Sequence, residues 1–185
     1  MSHFPIRPLA LAAFCVSLAA PAAAQPKTGL MADLVKDITD TQAKIVGLAN
    51  AMPETAFDWR PGDGVRSTKE VFVHLTGDNY FLPALAGIAT PAETGILGTD
   101  YKTAEAFEKR TRTRAQVIAE LEQSFAFLKQ SMGAQADADL DAQAKNAQRM
   151  TARQLWLATA THLHEHLGQL IAYARSNKVT PPWSK

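Results

Sequence analysis

Three of the five histidines in this chain fall within five residues: His162, His164 and His166. Residues four apart on an α-helix share a face, with Cβ atoms about 5–6 Å apart. An i, i+4 pair of imidazoles can therefore offer two nitrogens to one ion. At about 100° per residue, with His162 at 0°, His166 falls near 40°, Gln169 near 340° and Tyr173 near 20°. These four form one polar-capable stripe. Leu163, Leu167, Leu170 and Ala174 form an apolar stripe beside it, predicted to face a core. His162 and His166 then sit at the core margin, where packed helices can open a pocket. His164 lies near 200°, roughly opposite the pair, and is predicted to face solvent. Glu165 is close enough to His162 to serve as a base, although a solvated glutamate is the plainer reading.

Two ligands seldom hold a divalent ion tightly, so a third is needed. The remaining histidine outside the N-terminal segment is His74, with Asp78 one helical turn beyond it. His74, His162 and His166 together would make a His₃ site with open positions, the composition of a catalytic rather than a structural site. Asp78 could be a fourth ligand or could orient a histidine from outside. Asp78, Gln169 and Tyr173 are the candidate pocket residues. The plainer alternatives are histidines that are hydrogen-bonded at a helix margin, or an H-x-H-E-H run on a solvated face. The segment is not the H-E-x-x-H metalloprotease motif, because Leu163 stands where that motif has glutamate.

Four helices are predicted to carry these residues. The first runs from about Thr28 to Ala51, with Leu30, Leu34, Ile38, Thr41, Ile45 and Leu48 at helical spacing. The second starts at Ser67, where Ser67 and Glu70 form a capping box, and runs to about Leu82, before Pro83. The third spans about Thr103 to Met132. The fourth opens on the Thr151–Gln154 capping box and ends near Ser176. No segment shows the period-two alternation of a strand. The expected fold is all-α, a four-helix bundle forming one domain over residues 25–185.

Residues 1–24 read as a signal peptide. Arg7 precedes an uncharged apolar run from Pro8 to Ala20, and Ala22–Ala24 supplies the small-residue cleavage site. The run is too short for a spanning helix. The expectation is export, to a periplasm, with no membrane association after cleavage. The whole chain has 185 residues, 19 basic and 18 acidic side chains and one cysteine. The leader holds Arg7, His3, Cys15 and no acid, so its removal leaves equal numbers of bases and acids, four histidines and no cysteine. Disulfides, cysteine nucleophiles and cysteine-based clusters are thereby excluded from the mature chain. A balanced charge gives no reason to expect nucleic acid as a partner.

Several segments together resemble the DinB-like (DinB/YfiT) superfamily of metal-binding four-helix bundles. They are Trp59–Ser67, Glu70–Leu75 with His74, the run from His162 through Gly168-Gln169 to Arg175, and the closing Val179–Trp183. The resemblance covers nearly all of the mature chain and assigns the metal triad to His74, His162 and His166. It implies a divalent ion, zinc or nickel first, with iron or cobalt as alternatives. It also implies a small-molecule substrate, a thiol-transferase or hydrolase type of reaction, and a homodimer as a candidate assembly. Export departs from the thiol-transferase members, which act in the cytosol. The other expectation is therefore a non-catalytic exported metal-binding or stress-related module using the same triad.

Overall fold

The computed structural model describes residues 28–184. The expected leader, with Cys15, lies outside them. Six α-helices account for most of the described residues: α1 (Leu30–Ala51), α2 (Glu54–Phe57), α3 (Thr68–Leu85), α4 (Tyr101–Glu108), α5 (Arg114–Gly133) and α6 (Ala152–Ser176). A short antiparallel pair, β1 (Gln143–Ala144) and β2 (Ala147–Thr151), precedes α6. Among the described residues no helix is long and apolar enough to cross a membrane.

The long helices exist because their apolar positions recur every three or four residues and so fall on one face. On α1 the face is Leu34, Ile38, Thr41, Ile45 and Leu48, all buried. It packs on α5 and α6, while α3 packs on α4, α5 and α6. Phe72 and Leu75 of α3, Leu121, Phe125 and Leu128 of α5, and Trp156, Leu163 and Leu170 of α6 complete the main core. A smaller cluster of Tyr80, Phe81, Ile96, Ala104 and Phe107 fastens α4 to α3.

Three expectations need correction. The predicted third helix is two helices, α4 and α5, because Thr113 starts a new one. Its hydroxyl accepts from the Gln116 backbone N–H, and the Gln116 side chain accepts from the Thr113 backbone N–H. Pro83 does not stop α3 at Leu82. The ring removes one N–H from the ladder, and the helix continues only to Leu85. The loop before α6 contains the β1–β2 pair, too short to show a period. Asn146, between its strands, donates its backbone N–H to the Leu85 carbonyl and its amide to the Ala84 carbonyl. It thus serves the last carbonyls of α3, which have no partner further along the helix.

Both predicted capping boxes are present, at Ser67–Glu70 and Thr151–Gln154. At the first, the Ser67 backbone N–H donates to Glu70 Oε2 at 2.6 Å. That bond, with the Arg60 charge adding to it, holds the Glu70 carboxyl below its ordinary value. A carboxyl whose folded pKa is depressed adds stability above its unfolded value of about 4.3 and loses it as pH falls through the folded value. Urea unfolding across about pH 2–5 will therefore show a shallower acid loss for Glu70→Gln than for wild type. Equal slopes would mean that this cap contributes nothing through charge.

Candidate metal centre

α3 and α6 lie against each other, and their facing sides carry the histidines. The apolar stripe of α6 is buried as the spacing predicts, through Leu163, Leu167, Leu170 and Ala174. That seats His162 and His166 at the edge of the core. Across from them, His74 is 6% exposed. The three rings stand nearly perpendicular to one another, with centroids 5.2 Å (His74–His162), 4.8 Å (His74–His166) and 4.5 Å (His162–His166) apart. Each offers a ring nitrogen, and the three nitrogens lie within 4.8 Å of one another. A shared first-row ion about 2.0–2.1 Å from each nitrogen would need separations of about 3–4 Å, so the rings would have to close slightly to hold one.

The outer hydrogen bonds fix which nitrogen is free. His74 Nδ1 lies 2.8 Å from Glu108 Oε1. A carboxylate accepts there, so in a neutral ring this pair places the proton on Nδ1 and leaves the Nε2 lone pair toward Asp78. His166 is set by a longer line. Tyr173 donates its hydroxyl to the Arg66 carbonyl at 3.2 Å, and Gln169 Nε2 donates to the Tyr173 oxygen at 2.9 Å. Gln169 Oε1 is then left facing His166 Nδ1 at 2.7 Å and can only accept. His166 therefore also presents Nε2 as a ligand atom. Burial is the main cause holding its imidazole below the ordinary value, which favours the neutral form a metal needs.

Asp78 stands beside two of these three histidines. Its Oδ2 is 3.3 Å from His74 Nε2 and 2.7 Å from His162 Nε2. The second contact has the distance of a charge pair but not the angles of a hydrogen bond, and His162 Nε2 is buried with no hydrogen-bond partner. Lone pairs and a carboxylate oxygen crowded on one point repel unless a positive charge lies among them. The donor set of three imidazoles and a carboxylate suits a divalent transition ion. The residues present therefore fit a metal.

A model of the DinB superfamily matches residues 37–170, a span that runs from α1 into α6 and contains all three histidines. The chain belongs to the DinB superfamily. No curated protein matches it. The helical DinB architecture accounts for the placement: His74 comes from one long helix and the His162–His166 pair from another, joined only by packing.

The predicted pocket residues separate into two kinds. Asp78 stands among the ligand atoms. Gln169 and Tyr173 stand behind His166 and orient it, and Tyr173 is held edge-on by Trp59, 5.2 Å between centroids. His164 is not with the triad. It is exposed on the α1 side, with Nε2 2.9 Å from Asp37 Oδ2. Glu165 is exposed.

One site residue escaped the sequence reading. Glu108, at the end of α4, partners His74, and its second oxygen meets Arg66 Nη2 at 3.4 Å. His74, Asp78 and Glu108 form a second group of ligand atoms within 4.8 Å. Tyr101, at the start of α4, is held above its ordinary value by burial and then by the charges of Asp78 and Glu108. Reading α4 and α5 as one helix hid the end of α4 at Glu108, and the Thr113–Gln116 capping box was the available signal.

Glu108→Gln keeps the shape but weakens the acceptor that fixes His74. Loss of such a partner costs about 10–100-fold in metal affinity. Competition titration of the apo protein against a chromogenic zinc chelator will show a drop of that size. An unchanged affinity would remove Glu108 from the site.

Proposed function

We propose that this chain is an exported, divalent-metal-dependent DinB protein that acts on a small molecule by thiol transfer or hydrolysis. The observation that carries the reading is the orphaned His162 Nε2, buried beside Asp78 and the two other histidines. His74, His162 and His166 would hold the ion, with Asp78 beside His74 and His162 leaving the remaining position to water or substrate. Zinc or nickel suits the donors first, and iron or cobalt are the alternatives. When bound, such an ion supplies a Lewis acid that makes a water or thiol nucleophilic near neutral pH. The chain's own residues do the rest. Glu108 and Gln169 would hold the protons of His74 and His166 at Nδ1. The proposal includes the four-helix bundle formed by α1, α3, α5 and α6, cleavage after residue 24, a periplasmic setting and a homodimer. It includes no nucleic-acid or membrane partner.

One observation favours a second reading, a non-catalytic module that sequesters the ion. Asp78 already stands where a fourth ligand would, and a closed four-donor set is the composition of a structural site. Turnover separates the two. The metal-loaded mature chain is screened for thiol conjugation and for ester and amide hydrolysis, with and without chelator. Chelator-sensitive turnover that Asp78→Ala raises or preserves supports the enzyme. Full metal occupancy with no turnover on any class supports sequestration.

A further inference from the structure

The chain is close to neutral, yet its basic residues are not evenly spread. Two adjoining hollows of about 350 and 360 Å³ lie between the Asp58–Glu70 segment and the turn from α4 to α5. Each is large enough for a small molecule. They share Arg60, Glu70, Glu108 and Lys109, so they form one cleft. Six cations line it against three carboxylates.

Several of those cations are already used. Arg110 donates to the Glu93 and Thr94 carbonyls, and Arg112 pairs with Glu120. Arg60 serves Glu70 and the Val65 carbonyl. Lys69 and Lys109 make no ion pair among the described residues, and Arg66 has only its 3.4 Å contact with Glu108. The loop that presents Arg66 is folded back on itself. Gly64 takes φ 74°, a left-handed value that only glycine adopts freely, and Arg60 Nη1 ties the loop at Val65. The N-terminus of α3 adds its partial positive charge at Ser67.

Glu108 forms one wall of this cleft and also holds His74. Glu108 thus belongs both to the cleft lining and to the group of ligand atoms it forms with His74 and Asp78. We propose that the cleft binds the anionic end of the substrate, a carboxylate or phosphate held by Arg66, Lys69 and Lys109. The inference takes its reaction from the metal-dependent reading, but its binding step stands apart from it.

The test uses the mature chain, zinc-loaded and chelator-stripped, in about 0.1 M salt, where weak long-range attraction is screened. Inorganic phosphate and malonate are titrated separately while backbone amide shifts are followed. Saturable shifts centred on Gly64–Lys69 and Lys109 are expected, with a midpoint near 1 mM or tighter for at least one anion. The tighter of the two names the headgroup. The Lys69→Gln/Lys109→Gln double variant should raise that midpoint roughly tenfold or more, the worth of a charge-assisted hydrogen bond. Shifts that do not saturate, that scatter over the surface, or that survive in the double variant would overturn the proposal. Zinc content measured on the same samples separates the failures. A chain that binds zinc but no anion loses the cleft alone, and one that binds the anion but no zinc loses the metal reading alone.

Discussion

Replacing His162 with alanine will abolish stoichiometric zinc binding at micromolar metal, while His164→Ala leaves the affinity within about twofold. The two residues are of one type, two positions apart on one helix. Only the first points at His74 and His166. His162→Ala removes the nitrogen that is buried with no partner of its own. The two remaining imidazoles hold an ion weakly, so the loss should exceed the about 10–100-fold that an outer partner is worth. His164 is exposed and paired with Asp37. Its loss removes an exposed ion pair, worth about 0–1 kcal/mol to stability, and no ligand. Titration of both variants beside wild type checks this. Equal effects would mean that the i, i+4 geometry of α6 does not build the site.

Trp156→Ala is expected to have the largest effect on stability, about 3–5 kcal/mol. Trp156 is 0% exposed and is among the largest fully buried side chains, so its truncation leaves a cavity that the surrounding helices cannot close. Total stabilities are only about 5–15 kcal/mol, so the variant is brought near its unfolding threshold. Leu157, its neighbour in sequence, is 42% exposed. Leu157→Ala should stay within about ±0.5 kcal/mol. Urea denaturation of the two apo variants measures the contrast. If the proposed site takes zinc in the folded chain alone, zinc at about 100 times its Kd should restore about 2.7 kcal/mol to Trp156→Ala. Failure of zinc to raise the urea midpoint would argue that the ion is not held by folded structure.

How much of this was legible in the sequence depended on the range of the signal. Caps and apolar stripes are local, so the starts of α3 and α6 and the buried face of α1 could be read directly. The α6 wheel separated His164 from its neighbours for the same reason. The break at Thr113 was also local, in the same type of capping box, but the helical spacing on either side of it hid the signal. Glu108 was a different matter. Its partnership with His74 crosses 34 positions and depends on the way Phe107 and Ala104 dock α4 onto α3. No periodicity within α4 encodes that. The line from Arg66 through Tyr173 and Gln169 to His166 likewise joins a loop to a helix 107 positions away. Sequence spacing placed Gln169 and Tyr173 on the right face. Only the fold showed that they stand behind the histidine rather than in front of it.

The central claim is that His74, His162 and His166 hold one ion. X-ray absorption at the metal edge of the loaded, mature protein tests it most directly. The geometry predicts a first shell of nitrogen and oxygen at about 2.0–2.1 Å, with the outer-shell scattering of three imidazole rings. Glu108→Gln should keep those three rings, and His162→Ala should lose one. A loaded wild-type protein whose spectrum contains one imidazole or none would contradict the account.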